Sequence, residues 1–336
     1  MKIRQRAFWL LFAASLGIGM HACSPPPAVT PESQPTPENS AQATPVQASP
    51  TLTQPEPTPT LTATPLLPSP TPTIFPPPGS QGEHFIFSRP VDVWVDFTYR
   101  YGNTQNGTRA THHGSDLVEE CGLPVRAAAD GEVIVAGGDW TEVYGPYESF
   151  YGNLVVLEHD EGIFTLYGHL SEVDAVVGDQ VSRGDKLGEV GFSGAAIGCH
   201  LHFEVRIGEN LYTHTRNPEL WMIPYRDESE TFYGANAGSF YGAIAGRLMG
   251  MTGYPIPDVE VEIQRLNAAG EVEHTLYAIT YADMSVNGDD VWGENFAVGD
   301  IAPGHYQIQF VAMGLHQYEV EVKPGQVAII NFEMGQ

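Results

Sequence analysis

Positive charge is scarce in this sequence. Fifteen Lys and Arg stand against 41 Asp and Glu, a formal net charge of −26 over 336 residues. That balance argues against a nucleic-acid partner and against simple attraction to an anionic surface. The acid excess is spread along the chain, which reads as solubility and not as a binding patch. Long apolar runs are missing too. The stretch Ala7–Gly19 is only about thirteen residues, where a spanning helix needs about twenty. No long helical apolar period runs through Val125–Gly191, which excludes a helical core there. Cysteine is scarce, with only Cys23, Cys121 and Cys199.

What is present begins with a leader. Lys2, Arg4 and Arg6 precede the short apolar stretch, the pattern of a secretory signal over residues 1–22. It ends in Met20-His21-Ala22-Cys23, which resembles a bacterial lipoprotein cleavage box. That predicts a lipidated Cys23 as a membrane anchor; plain cleavage that leaves an idle cysteine is the alternative. Residues 24–80 hold no Lys or Arg and 18 of the 27 prolines. Such a segment cannot bury enough apolar area to offset its ordering entropy. Residues 23–80 are therefore expected to be a disordered Pro/Thr/Ser-rich tether. Fully extended, it would reach on the order of 170 Å.

The folded part reads as mainly β. His84–Phe87 and Val91–Val95 alternate like strands, and Tyr99–Thr111 reads as a Gly/Asn-rich loop. Val125–Ala129, Glu132–Gly137, Leu154–His159, Phe164–His169 and Lys186–Val190 are short and separated by Gly, Asp or Asn turns, predicting an antiparallel β-core. Residues 226–240 read as a linker. Beyond it, six alternating segments between Ala243 and Phe332 have the spacing of a β-sandwich over 241–336.

Three histidine contexts carry the chemistry. In Gly198-Cys199-His200-Leu201-His202-Phe203-Glu204-Val205 apolar and polar residues alternate, as on a half-buried strand. His200, His202 and Glu204 would share one face, with the two imidazoles roughly 7 Å apart. His112-His113-Gly114-Ser115-Asp116 adds imidazole and carboxylate, and Tyr167-Gly168-His169-Leu170 ends another strand-like run. Imidazole nitrogen and carboxylate oxygen are zinc ligands, and a catalytic zinc site keeps one position open for water. Glu204 reads first as an exposed strand carboxylate and second as a group that orients His202. His159 reads as a surface residue. His214 belongs to no motif, and His274, His305 and His316 read as turn or surface residues.

These three contexts together resemble the lysostaphin/LytM-type zinc metallopeptidases, which cut peptide bonds in bacterial peptidoglycan. The family patterns His-x-Gly-x-Asp, Tyr-x-His-Leu and His-Leu-His-Phe-Glu all occur here, in order, within Phe85–Trp221. The resemblance implies a peptidase domain over residues 81–225 holding one zinc ion per chain. It implies His112, Asp116 and His202 as the metal ligands. His169 and His200 are implied as the catalytic imidazoles, one taking a proton from water and the other serving the oxyanion or the leaving amine. No His-Glu-x-x-His helix is present to supply a glutamate base. Cys121 and Cys199 stand beside two of the motifs, where the family usually has other residues. In an exported chain a disulfide between them is the expectation, with thiolate ligation of the metal as the rival. The last module resembles carboxypeptidase-regulatory-like, prealbumin-type sandwiches and is expected to be accessory. The function implied is an exported, envelope-located peptidoglycan endopeptidase. The alternative is a non-catalytic wall-binding regulator of amidases, as in relatives with degenerate sites.

Overall fold

The computed structural model describes residues 84–140, 142–224 and 241–335. The expected leader, the tether with Cys23, and the linker at 226–240 lie outside the described residues. The alternation at His84–Phe87 and Val91–Val95 produces no strand. Only single bridges form there, Phe87 to Met222 and Val95 to Leu117. Phe85 sits in the left-handed region at φ 58°, and Pro90 has no N–H to give a ladder, so neither run can extend.

Strands then follow one another closely: β1 (Ser115–Leu117), β2 (Pro124–Arg126), β3 (Gly131–Gly138), β4 (Asn153–His159), β5 (Ile163–Leu170), β6 (Glu172–Val173), β7 (Gln180–Val181), β8 (Lys186–Glu189), β9 (Leu201–Ile207) and β10 (Thr215–Arg216). The main sheet runs β1-β9-β5-β4-β3-β7, with β10 also on β9, and β2-β8-β6 forms a small second sheet. The described helices are three short 3₁₀ turns of three residues each. One face of the main sheet packs Leu117, Tyr167, Leu201, Phe203 and Val205 into a large core. The other face is covered by Tyr151, Leu154, Val156, Phe164 and Leu166. The sheet is thus buried on both sides, and β5 is buried at every position. The half-buried β9 expected from alternation is corrected by that second layer.

The C-terminal part contains β11 (Gly242–Met249), β12 (Glu260–Leu266), β13 (Val272–Ile279), β14 (Phe296–Ile301), β15 (Gly304–Val311), β16 (Leu315–Val322) and β17 (Val327–Glu333). They form two sheets, β14-β11-β17 and β13-β12-β15-β16. Within the first, β11 and β17 run parallel. β14 has no counterpart among the expected strands, because five of its six residues are buried and it shows no alternation. The sheet β14-β11-β17 serves two cores. Ala243, Ala245, Ala297 and Val327 join the core of the preceding domain. Ile244, Leu248, Phe296, Val298 and Ile330 fill the sandwich.

Polar contacts reinforce that junction. The Gly299 N–H donates to Glu219 Oε2 at 2.7 Å, and Arg100 pairs with the same carboxylate. The Ala282 N–H donates to the Gly102 carbonyl at 2.9 Å. A Cβ at Gly102 would lie 2.2 Å from the Tyr281 ring, so the approach needs glycine. The Tyr281 hydroxyl accepts from Asn217 Nδ2 at 3.2 Å and donates to Glu294 Oε1 at 2.9 Å.

Glu294 is buried, and that burial pushes its carboxyl up to about 8. The folded state keeps this proton at pH values where the unfolded chain has released it. Its stabilising contribution is therefore full below about pH 4.5 and is lost as pH rises towards 8. Between pH 5 and 7 this one group is expected to cost on the order of 2 kcal/mol. Urea midpoints of the wild type and Glu294→Gln measured at both pH values check this. The variant should lose less stability over the interval; equal losses would refute the assignment.

Candidate metal centre

Pairing in the main sheet assembles the centre. In the antiparallel β1–β9 ladder Asp116 stands directly opposite His202. On the other side of β9, Gly168 of β5 stands opposite His202, so the next residue, His169, falls beside the same point. His169 has φ 65°, a left-handed turn that few residues with a Cβ adopt. His200 is held just before β9 by a single bridge to Gly191. Gly114 allows the first motif to close over the site. A Cβ there would lie 2.6 Å from the Phe203 carbonyl oxygen and 2.7 Å from the His202 ring.

The five residues singled out from the sequence lie together at the floor of one cleft of about 220 Å³. None is more than 8% exposed. His112, Asp116 and His202 each offer one ligand atom, and these atoms all lie within 4.8 Å of one another. Asp116 Oδ1 is 2.9 Å from His202 Nδ1 and 3.2 Å from His112 Nε2. His200 Nε2 lies 3.7 Å from the same oxygen. The ring centroids of His169 and His200 are 4.8 Å apart.

The outer partners fix which nitrogen each ring presents. His112 Nδ1 donates to the Tyr99 carbonyl at 2.7 Å, which leaves Nε2 for the centre. His202 Nε2 faces Glu204 Oε1 at 3.0 Å, which leaves Nδ1. Such outer hydrogen bonds orient the imidazoles of a metal site. His169 Nδ1 donates to the Ser193 carbonyl at 2.9 Å, and His200 Nδ1 to the Gly198 carbonyl at 3.1 Å. Both therefore keep an Nε2 lone pair.

Charge follows from burial and neighbours. Burial alone would raise the Asp116 carboxyl, but the His112 and His202 imidazoles outweigh it and hold it well below the usual range. His202 is disfavoured as a cation by burial, yet its contacts with Asp116 and Glu204 prevail and raise it to about 9. His169 is driven down to about 3 by burial and by the His202 and His200 rings beside it. His200 is lowered as well, first by burial. The last two are neutral bases at pH 7.

Glu204 corrects the plainer sequence reading. It is fully buried, not exposed. Tyr151 donates to it at 2.5 Å and Arg206 Nε at 2.8 Å, while His202 shares its Oε1. Arg206 and Tyr151 were missed as site residues. The period that placed His200, His202 and Glu204 on one face also places Arg206 there. His113 supports from behind, with Nδ1 3.0 Å from the Tyr212 carbonyl and Nε2 3.3 Å from Ser285 Oγ. His159 is half-buried between the Asp130 carbonyl and Thr165, away from the cleft. Cys121 and Cys199 are joined as a disulfide with Cα atoms 5.3 Å apart, which rules out thiolate ligation.

Residues 110–214 match the sequence model of peptidase family M23. Over 96 residues the chain is 40% identical to the DD-carboxypeptidase/endopeptidase Mpg of Neisseria meningitidis, covering 29% of this chain and 20% of that protein. It is 36% identical over 143 residues to the glycyl-glycine endopeptidase ALE-1 of Staphylococcus capitis, covering 42% of this chain and 36% of the relative. The chain thus spans well under two thirds of either protein. Among solved structures it is 30% identical to the catalytic domain of the antimicrobial peptidase lysostaphin from Staphylococcus simulans, covering 38% of this chain and 89% of that one with a TM-score of 0.32.

Proposed function

With residues 110–214 a domain of peptidase family M23, we propose that this protein is an exported, zinc-dependent endopeptidase that hydrolyses peptide bonds of bacterial peptidoglycan. The observation that carries the reading is the convergence of His112, Asp116 and His202 on one point, with two neutral imidazoles beside it. The donor set suits zinc: two imidazole nitrogens and one carboxylate oxygen, each imidazole backed by an oxygen partner. Three protein ligands leave a coordination position open, as catalytic sites do. One zinc ion per chain, held by these three residues, would supply Lewis acidity that acidifies water and polarises a carbonyl.

The remaining steps belong to side chains. His169 and His200 are uncharged at neutral pH and turn an unprotonated Nε2 to the cleft, so either accepts the proton of an attacking water. The imidazolium formed then carries the one proton available, with which it stabilises the developing oxyanion or which it returns to the leaving amine. Glu204 and Arg206 neutralise each other beneath His202 and keep its ring from turning. A peptidoglycan substrate and the leader-like N-terminus support an envelope location. In this reading the protein sits as a lipoprotein anchored through Cys23, with the Pro-rich tether spanning towards the wall.

The test is digestion of purified peptidoglycan by the zinc-loaded full chain, with fragments identified by mass spectrometry. New peptide termini that disappear on chelation and return with zinc are expected. Intact wall, with one zinc bound per chain, would overturn the endopeptidase and favour a binding or amidase-activating role.

A further inference from the structure

The cleft above the centre has one permanent cation on its border. Of all its lining residues only Arg109 is Arg or Lys, and only Asp116 is a carboxylate. The chain has 15 Lys and Arg against 41 acids, yet this exposed arginine has no carboxylate partner among the described residues. Most other arginines are differently placed: Arg89, Arg100, Arg206, Arg216, Arg247 and Arg265 each face an acid.

Arg109 is nevertheless held in position. Its guanidinium lies 4.8 Å from the centroid of the Tyr99 ring. That ring stacks on His112 at 4.1 Å with 7° between planes, and its hydroxyl donates to the Ala110 carbonyl at 2.6 Å. The loop is closed by Arg109 N–H to the Thr104 carbonyl at 3.0 Å and His112 N–H to the Asn103 carbonyl at 3.1 Å. A cation over a tyrosine face keeps its N–H edge for another acceptor. The two stacking contacts put the guanidinium within about 9 Å of the His112 ring. Two to three residues of extended peptide cover that distance, at about 3.3–3.6 Å each.

Resting on the endopeptidase reading above, we propose that Arg109 is a specificity-determining residue that pairs with a free carboxylate of the substrate close to the scissile bond. The preferred substrate class is then a stem peptide carrying an α-carboxylate, on a diamino acid or at its C-terminus, and not an uncharged glycine bridge. The planar fork takes a carboxylate through two parallel hydrogen bonds, which a lysine cannot reproduce. Asp116, the carboxylate of the cleft, is engaged by His112 and His202 and does not compete for the guanidinium.

Binding separates this proposal from the chemistry it rests on. The full chain is titrated calorimetrically with a tetrapeptide stem bearing both carboxylates, then with versions amidated at the diamino acid or at the C-terminus. Amidating one of the two is expected to weaken binding roughly tenfold, and which one identifies the source. Arg109→Gln should abolish the difference between free and amidated peptides, and Arg109→Lys should restore only part of it. Equal affinities for all three peptides, or a preference that survives in Arg109→Gln, would overturn the proposal. Carboxylate-dependent binding without any cleavage would support Arg109's role and overturn the endopeptidase instead.

Discussion

Asp116→Ala is expected to lower the rate of peptidoglycan cleavage about a thousandfold or more and to empty the centre of zinc. Three ligands hold the ion in the proposed arrangement, and Asp116 supplies the only negative charge among them. A Lewis acid contributes several kcal/mol to a hydrolytic transition state, and each 1.4 kcal/mol is about tenfold in rate. The fold should survive, because β1 pairs with β9 through backbone and His202 keeps its contact with Glu204. Asp116→Asn keeps the size but removes the charge, and should lose zinc almost as completely. Metal content, initial rate and circular dichroism on the three proteins provide the check. Wild-type turnover by Asp116→Ala would eliminate this site as the seat of the chemistry.

Breaking the Cys121–Cys199 bond should cost about 4 kcal/mol of stability, since it closes a loop with a sequence separation of 78. Activity should fall as well, for a local reason. Cys199 precedes His200, whose place before β9 otherwise depends on a single bridge to Gly191. The double variant Cys121→Ser/Cys199→Ser and the reduced wild type should show the same lowered urea midpoint. An unchanged midpoint in both would mean that the surrounding sheet holds the loop by itself.

Much of the centre was legible because its residues obey a local rule. Alternation puts His200, His202 and Glu204 on one face, and Gly114 and Ser115, as residue types, argue against a regular helix between His112 and Asp116. Neither pattern says which strands become neighbours. The opposition of Asp116 and His202 is a long-range register, visible only once β1 lies against β9. Glu204 was read as exposed because alternation reports one buried face, and nothing local announces the Tyr151–Leu166 layer that covers the other. Arg206 was in plain sight on the same period, but a buried arginine is sensible only when its carboxylate partner is also known to be buried. β14 escaped for a related reason. Its residues are covered on both sides, so they show no alternation.

The sheet shared by two cores bears on the ancestry of the chain. A module joined to a hydrolase only by a string of residues can be exchanged by recombination, each half remaining a complete inheritance. Here Ala243, Ala245, Ala297 and Val327 close the core of the half that precedes them, and Ser285 touches His113 beside His112. A graft at residues 226–240 would leave one parent with an open wall and the other with an unmatched sheet. On this packing the two halves are expected to be inherited together, and a side chain at Gly102, whose Cβ would lie 2.2 Å from the Tyr281 ring, to require a change at Tyr281.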